Sequence, residues 1–159
     1  MIDKLYNKIQ KMRSVLENNP DGPVIGKLRS GKAINLQRLE NGVTEYYSFL
    51  VISNGARCGA IDIFSYETML ESQYYLEFLD EGQYDVRDWV YVGQCLYDPI
   101  ILNKISGLVY QFYEGTPLEQ GECYGSFNVF LNEYVFGEKY ETIIPDVDDD
   151  KWYQILKEL

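Results

Sequence analysis

The sequence predicts an α+β fold in which a curved, mostly antiparallel sheet is flanked by helices. The apolar runs 89–96, 100–102 and 108–113 are separated by the breakers YDP and KISG, so residues 89–113 should form a three-stranded β-meander. Helical patterns precede and follow this meander without the regular alternation of strand and helix that a parallel sheet requires. At 159 residues, a single domain over 1–159 is the default expectation.

The N-terminal half begins with a clear helical stripe. Apolar residues alternate at spacings of three and four, which places them on one helix face: Ile2, Leu5, Ile9, Met12 and Leu16. Two prolines and three glycines then predict a mobile loop over 18–32, and a short helix is expected over 33–40.

A second helix, a strand and a third helix are expected before the meander. Thr44 should cap a helix that ends at Asn54-Gly55 and buries Tyr46, Tyr47, Leu50 and Val51. Residues 58–64 read as one strand with Ile61 and Ile63 on the same face. A helix over 65–79 should turn Leu70, Tyr74, Tyr75 and Phe78 inward.

Beyond the meander the sequence predicts a loop and two further helices. Residues 115–125 contain Pro117 and several glycines and should form the loop. Ser126 should cap a helix that buries Phe127, Phe130, Leu131, Tyr134 and Val135. Residues 143–145 should be extended, and the last helix should bury Trp152, Ile155, Leu156 and Leu159.

Composition excludes several classes of function. The chain has no histidine, which removes Ser-His-Asp and Cys-His nucleophiles and imidazole metal ligands. The three cysteines lack paired CxxC spacing, so they are expected to be reduced and mostly buried thiols. No apolar run reaches the roughly 18 residues of a membrane span, and MIDKLYNKIQ does not resemble a signal peptide. We therefore expect a cytoplasmic protein that does not associate with membranes.

Charge is divided unevenly along the chain. Residues 1–39 carry eight basic and three acidic side chains, a net of +5, whereas residues 40–159 carry a net of −16. An acidic body repels nucleic acid and favours a basic protein partner, although it also keeps a protein soluble without any partner.

Three motifs invite a chemical interpretation. GKLRSGKA at 26–33 matches the GxxxxGK pattern of a phosphate-binding loop. Ala33, however, stands where such a loop needs a hydroxyl to bind magnesium, so a Gly-rich basic loop is the simpler interpretation. The acidic run 146–150 lacks the glycine and glutamate of a calcium loop, and it should instead stabilise the N-terminus of the last helix. Asp62 could be a catalytic carboxylate or a polar residue on a partly exposed sheet face. The sequence thus predicts no catalytic residue, no metal site and no cofactor.

An acidic, tyrosine-rich surface is the best candidate for partner binding. The chain has fifteen tyrosines, and tyrosine is enriched in interfaces because it offers a large contact area with few torsions to freeze. The candidate residues follow the third helix and the first strand of the meander: Asp80, Glu81, Tyr84, Asp85, Asp88, Tyr97 and Asp98.

The sequence also resembles a known family. EYYSFL at 45–50, SNG at 53–55 and GAIDIFS at 59–65 resemble the "YxxFL…NGG…G" block of the SUKH superfamily. VYVGQ, DPIILN and SGLVYQF resemble its second block, and SFNVFL at 126–131 is similar to its closing "SFxxFL" helix. The match spans about residues 33–136, with Val43-Thr44 in place of the frequent Leu-Pro and Ser106 in place of the more usual Thr.

The resemblance implies an intracellular α+β domain without shared catalytic residues. Bacterial members of the family are immunity proteins that bind polymorphic toxins, often nucleases, and other members are thought to act as binding hubs. We therefore expect a non-catalytic immunity protein that occludes a basic toxin domain. A general interaction module of the same fold, and a nucleotide-binding protein that uses residues 26–32, are the alternatives.

Overall fold

The computed structural model describes residues 2–18 and 26–159, and it confirms an α+β fold. Within these residues, seven strands form one open antiparallel sheet, in which each strand pairs with the next along the chain. The strands are β1 Gly26–Leu28, β2 Ala56–Cys58, β3 Ile61–Ile63, β4 Trp89–Cys95, β5 Asp98–Asn103, β6 Leu108–Tyr113 and β7 Glu119–Ser126. The α-helices are α1 Ile2–Glu17, α2 Thr44–Ile52, α3 Tyr66–Ser72, α4 Phe127–Val129, α5 Tyr140–Ile143 and α6 Lys151–Glu158.

The predicted meander is confirmed as β4, β5 and β6. Its strands are apolar on both sides because both faces of the sheet are covered. Val90 and Val92 belong to the larger core beneath the helices. Trp89 and Tyr91 belong to a smaller core on the opposite face, which Leu76 and other residues of the preceding segment cover.

The predictions for three segments of the sheet were wrong. Residues 26–28 of the predicted loop form β1, whereas residues 19–25 of that loop lie outside the described chain. Residues 58–64 are not one strand, because Gly59 takes a φ of 61° and turns the chain between β2 and β3. Ile61 and Ile63 are nevertheless both buried, as predicted. Residues 119–125 belong to β7, an edge strand with two register irregularities against β6, so neither alternation nor burial marks it in the sequence.

The second and third helices differ from prediction in their buried faces. Thr44 is the first residue of α2 and not its cap, since its hydroxyl donates to the carbonyl of Glu40. The side chains that α2 buries are Tyr46, Phe49 and Leu50, while Tyr47 is half-buried and Val51 is 40% exposed. The third helix changes pitch: α3 ends at Ser72 and continues as the 3-10 helix Gln73–Phe78. The short helix expected over 33–40 is limited to a 3-10 turn, Leu36–Arg38.

In the C-terminal region the predicted helix caps are confirmed, but the types and bounds of the helices differ from the prediction. The Ser126 hydroxyl accepts a bond from the Val129 amide, which confirms the predicted cap, but the helix becomes a π-helix over Phe130–Val135. Ile143 is the last residue of α5 and is not extended, whereas Ile144 after it is. Asp150 caps α6 by accepting from the amides of Trp152 and Tyr153, as the acidic run predicted. Trp152 is fully buried, whereas Leu159 is exposed.

Only one of the three thiols should react in the native protein. Cys58 and Cys95 are buried and Cys123 is exposed, and burial raises the pKa of Cys95 to about 12 and that of Cys58 well above its usual value. A chromogenic disulfide reagent at mildly alkaline pH should therefore modify one thiol before denaturant is added and three afterwards. The native reaction should vanish in Cys123→Ser; rapid native modification of all three thiols would contradict this packing.

No helix in the part of the chain that the structure describes is long and apolar enough to cross a membrane.

Candidate functional site

An open groove lies between the third helical segment and the start of β4. It has a volume of about 760 Å³, and its lining includes Val43, Tyr47, Met69, Leu76 and Trp89. The helical wall comes from α3 and the 3-10 helix that follows it, and Lys104, directly after β5, also lines the groove. We call this feature the α3 groove.

Large apolar side chains stand exposed along the α3 groove. Leu70 and Tyr74, four residues apart on the helical wall, are 57% and 69% exposed, and Val86 beyond them is 40% exposed. Single exposed apolar residues are ordinary on protein surfaces, but several that line one concave feature mark an interaction site. Association at this groove would therefore remove the exposed apolar surface of Leu70, Tyr74 and Val86 from water.

The inward side of this helical segment explains why Leu70 and Tyr74, both predicted to face inward, point outward. Met69, Gln73 and Leu76 lie at i, i+4 and i+7 and pack on the sheet. The Gln73 amide pairs with the backbone of Tyr91 in β4, accepting from its N–H at 3.0 Å and donating to its carbonyl at 2.9 Å. The buried stripe thus contains a polar residue, and an apolar pattern alone could not find it.

Charge differs between the two walls of the α3 groove. Two carboxylates of the helical wall, Glu77 and Glu81, line the groove, and no basic side chain lies in residues 66–81. The rest of the lining contains the basic residues Arg38, Arg87 and Lys104 and the acidic residue Glu40. The Arg87 guanidinium is already bound to Asp85, at 2.7 Å from Nη2 to Oδ2. A partner that covers Leu70 and Tyr74 must therefore approach a negatively charged wall.

The structure brings part of the predicted acidic surface to this groove. Glu81 lines it, and Asp80, Asp85 and Asp88 lie in the turn and the 3-10 helix Val86–Asp88 that lead into β4. Asp80 accepts from the Gly82 amide, and Asp85 caps the 3-10 helix at the Arg87 amide. The hydrogen bonds from Arg87 lower the pKa of Asp85 to about 2. Asp80 and Asp85 thus stabilise the backbone of the turn and also contribute to its negative charge.

Tyr84 and the Tyr97-Asp98 turn do not belong to this surface. Tyr84 is half-buried, packs edge-on against Trp89 and Phe112, and donates its hydroxyl to Gln120 at 2.9 Å. Cys95 pairs with Asp98 at one end of β4, whereas Trp89 pairs with Asn103 at the other. At about 3.3 Å per residue the two ends lie roughly 20 Å apart. Tyr97 is 80% exposed there, and Asp98 accepts from the Gln111 amide.

The residues of the GxxxxGK pattern have structural contacts of their own. A Cβ on Gly26 would lie 2.7 Å from the Trp152 ring, and one on Gly31 would lie 1.8 Å from the Val51 carbonyl oxygen. Close packing therefore accounts for both glycines. Lys32 donates to Glu67 at 2.5 Å, so its ammonium is engaged by α3. Asp62 pairs with Arg57 across the β2–β3 hairpin at 3.3 Å, consistent with a polar residue on a partly exposed face.

The titration of Glu67 tests the contact between Lys32 and Glu67. Hydrogen bonds from Lys32 and Asn54 lower its pKa to about 2, from an ordinary value of 4.5. The stabilisation that these contacts provide is complete above pH 4.5 and is lost as the pH falls towards 2. In Lys32→Ala, the Glu67 pKa should rise towards its ordinary value in a carboxyl-detected NMR titration. Lys27→Ala, which removes an exposed lysine elsewhere, should leave it unchanged; an unshifted Glu67 in Lys32→Ala would rule out the contact.

The sequence matches no protein-family model and no curated protein. The fold, the exposed apolar residues and the charges of the chain itself therefore carry the functional proposal.

Proposed function

We propose that this chain is a non-catalytic binding protein of the SUKH-like immunity type that neutralises a basic toxin domain by covering its active site. The proposal is supported above all by one observation: Leu70 and Tyr74 stand exposed on the acidic wall of the α3 groove. The same surface would serve a general interaction module, and the identity of the partner distinguishes the two.

Burial of these two side chains is the expected source of affinity. Apolar surface removed from water contributes roughly 25 cal/mol per Å². Tyrosine is enriched among interface residues that carry large shares of the binding energy, and such residues lie in the desolvated centre of the contact. Leu70 and Tyr74 are therefore the expected centre of the interface, and the acidic side chains around them form its rim.

Charge explains why the partner should be basic. A nuclease presents lysine and arginine to the phosphates of its substrate. The helical wall of the groove, with Glu77 and Glu81 and no basic side chain, has the opposite sign. Opposite potentials accelerate association and disfavour wrong partners. Occupation of the groove by the basic face of a nuclease would then block access of nucleic acid to that face.

Capture from the source cells tests this proposal. Three tagged baits are compared: the wild type, Glu77→Lys/Glu81→Lys on the groove wall, and Glu119→Lys/Glu122→Lys on the edge strand β7, which makes the same charge change elsewhere. We expect a basic protein on the wild-type and β7 baits that is depleted on the groove bait. The purified partner should cleave nucleic acid, and the chain should inhibit it. A partner without such activity would favour the interaction module, and retention on the groove bait would refute this surface.

A further inference from the structure

A second groove lies between α1 and the C-terminal region, away from the residues of the α3 groove. It has a volume of about 1170 Å³. Five lysines line it: Lys4, Lys8, Lys11, Lys139 and Lys157. We call it the lysine groove. In a chain of net charge −11, such a concentration of ammonium groups needs a physical reason.

Three of these lysines occupy one face of α1. Lys4, Lys8 and Lys11 lie at i, i+4 and i+7, where like charges are neighbours and destabilise a helix. Lys8 donates to the carbonyls of Asn132 at 3.3 Å and Phe136 at 3.2 Å, so it caps the end of the π-helix. Lys4 and Lys11 lie on either side of it along the helix. The side chain of neither one forms a hydrogen bond or a salt bridge with another residue in the described part of the chain.

The carboxylates of the groove neutralise this row only in part. Glu133 is bound to Lys139 and Glu141 is bound to the Tyr153 hydroxyl, both on the wall opposite α1. Glu138, the remaining acidic residue of the lining, attracts Lys8 and partly offsets the burial and the Lys4 charge that lower the pKa of Lys8. Lys157 stands over the Tyr153 ring at 4.7 Å. The lining thus holds five basic and three acidic side chains, and two of those three carboxylates already have a partner.

The size and polarity of the groove indicate what class of ligand fits. Its volume exceeds the roughly 300–1,000 Å³ of small-molecule sites. Lys4 and Lys11 are separated by about 10 Å along the helix axis, at 1.5 Å per residue. The lining also contains two apolar side chains that are not fully buried: Leu156 is half-buried and Leu159 is 45% exposed. A second helix with carboxylates at the same spacing and an apolar face would match both features.

We propose that the lysine groove binds an acidic amphipathic helix of a protein partner, whose carboxylates at i, i+4 and i+7 meet Lys4, Lys8 and Lys11. Lys8 can contribute because its two carbonyl contacts leave one of the three ammonium donors available. This site is separate from the α3 groove and of opposite charge preference. It does not depend on the function proposed for that groove.

A designed peptide tests this proposal on the full chain. The probe is a labelled helical peptide of roughly 15 residues with glutamates at i, i+4 and i+7 beside a leucine stripe, and its control is a scrambled peptide of the same composition. Fluorescence anisotropy should show saturable binding that is at least tenfold weaker for Lys4→Glu/Lys11→Glu and for the scrambled peptide. Lys27→Glu/Lys151→Glu, with the same charge change outside the groove, should bind as the wild type does.

Three results of the binding assay would overturn this proposal. These are equal binding of both peptides, an equal loss in the two lysine variants, and competition by a single-stranded oligonucleotide as effective as that by the unlabelled peptide, which would indicate general attraction of anions. Asn7 and Asn132 line the groove, so the NMR signals of their side-chain amides should shift on binding. Unchanged signals would place the peptide elsewhere and contradict the proposal.

Discussion

Replacement of Trp152 by alanine should lower the free energy of unfolding by about 3–5 kcal/mol, the usual cost of deleting a buried aromatic side chain. Trp152 is fully buried and packs against Phe136 with ring centroids 5.8 Å apart. Its indole N–H donates to the Val135 carbonyl at 3.0 Å. The ring also lies against Gly26 of β1, so its removal leaves a cavity beneath the edge of the sheet and an unpaired carbonyl.

Urea unfolding with a common slope for wild type and variant measures this loss. Tyr97→Ala is the matched control, because Tyr97 is 80% exposed and its loss should change the unfolding free energy by no more than about 0.5 kcal/mol. Since a domain of this kind has about 5–15 kcal/mol in total, the Trp152 variant should approach the limit of stable folding. A decrease in the free energy of unfolding of less than about 1 kcal/mol would contradict the burial of Trp152 in the core.

Truncation of Leu70 and Tyr74 to alanine should, unlike the Trp152 replacement, weaken binding strongly and change the stability little. Central interface residues cost about 2 kcal/mol or more on truncation, which corresponds to roughly 30-fold in affinity. Because both side chains are mostly exposed in the free protein, the unfolding free energy should change by no more than about 0.5 kcal/mol. Calorimetric titration of the captured partner against Leu70→Ala/Tyr74→Ala gives the first quantity, and urea unfolding gives the second.

Tyr97→Ala is the control for binding as well. Tyr97 is more exposed than Tyr74, but it lies at the far end of β4. Its truncation should leave the affinity unchanged if the α3 groove is the site. An equal loss in Tyr97→Ala would return the interface to the Tyr97-Asp98 turn that the sequence favoured.

The sequence predicted those elements in which one physical signal dominates. The meander is apolar because both of its faces are buried, and its turns carry the expected breakers. The N-terminal helix and the Ser126 cap follow from periodicity and from a side-chain oxygen at the right position. The edge strands β1 and β7 gave no such signal, because they are short or irregular, rich in glycine and partly exposed. Their pairing depends on neighbours distant in the chain.

The candidate site was predicted only in part, for two reasons. Residues close in sequence were assumed to be close in space, yet an extended strand of seven residues separates Asp88 from Tyr97 and Asp98. The change from α-helix to 3-10 helix after Ser72 also alters the period on which a helical stripe is counted. Gln73 also interrupts the apolar pattern of the inward stripe. Its polar side chain faces inward because it forms hydrogen bonds with the backbone of Tyr91.

The affinity of the captured basic partner for matched charge variants tests the central claim most directly. We expect Glu77→Lys/Glu81→Lys on the wall of the α3 groove to weaken binding at least tenfold, or about 1.4 kcal/mol, mainly through slower association. The difference from wild type should shrink as salt is raised from roughly 0.05 to 0.5 M. Glu119→Lys/Glu122→Lys should bind nearly as the wild type does. Equal affinities for the wild type and the groove variant at low salt would contradict a partner site in the α3 groove.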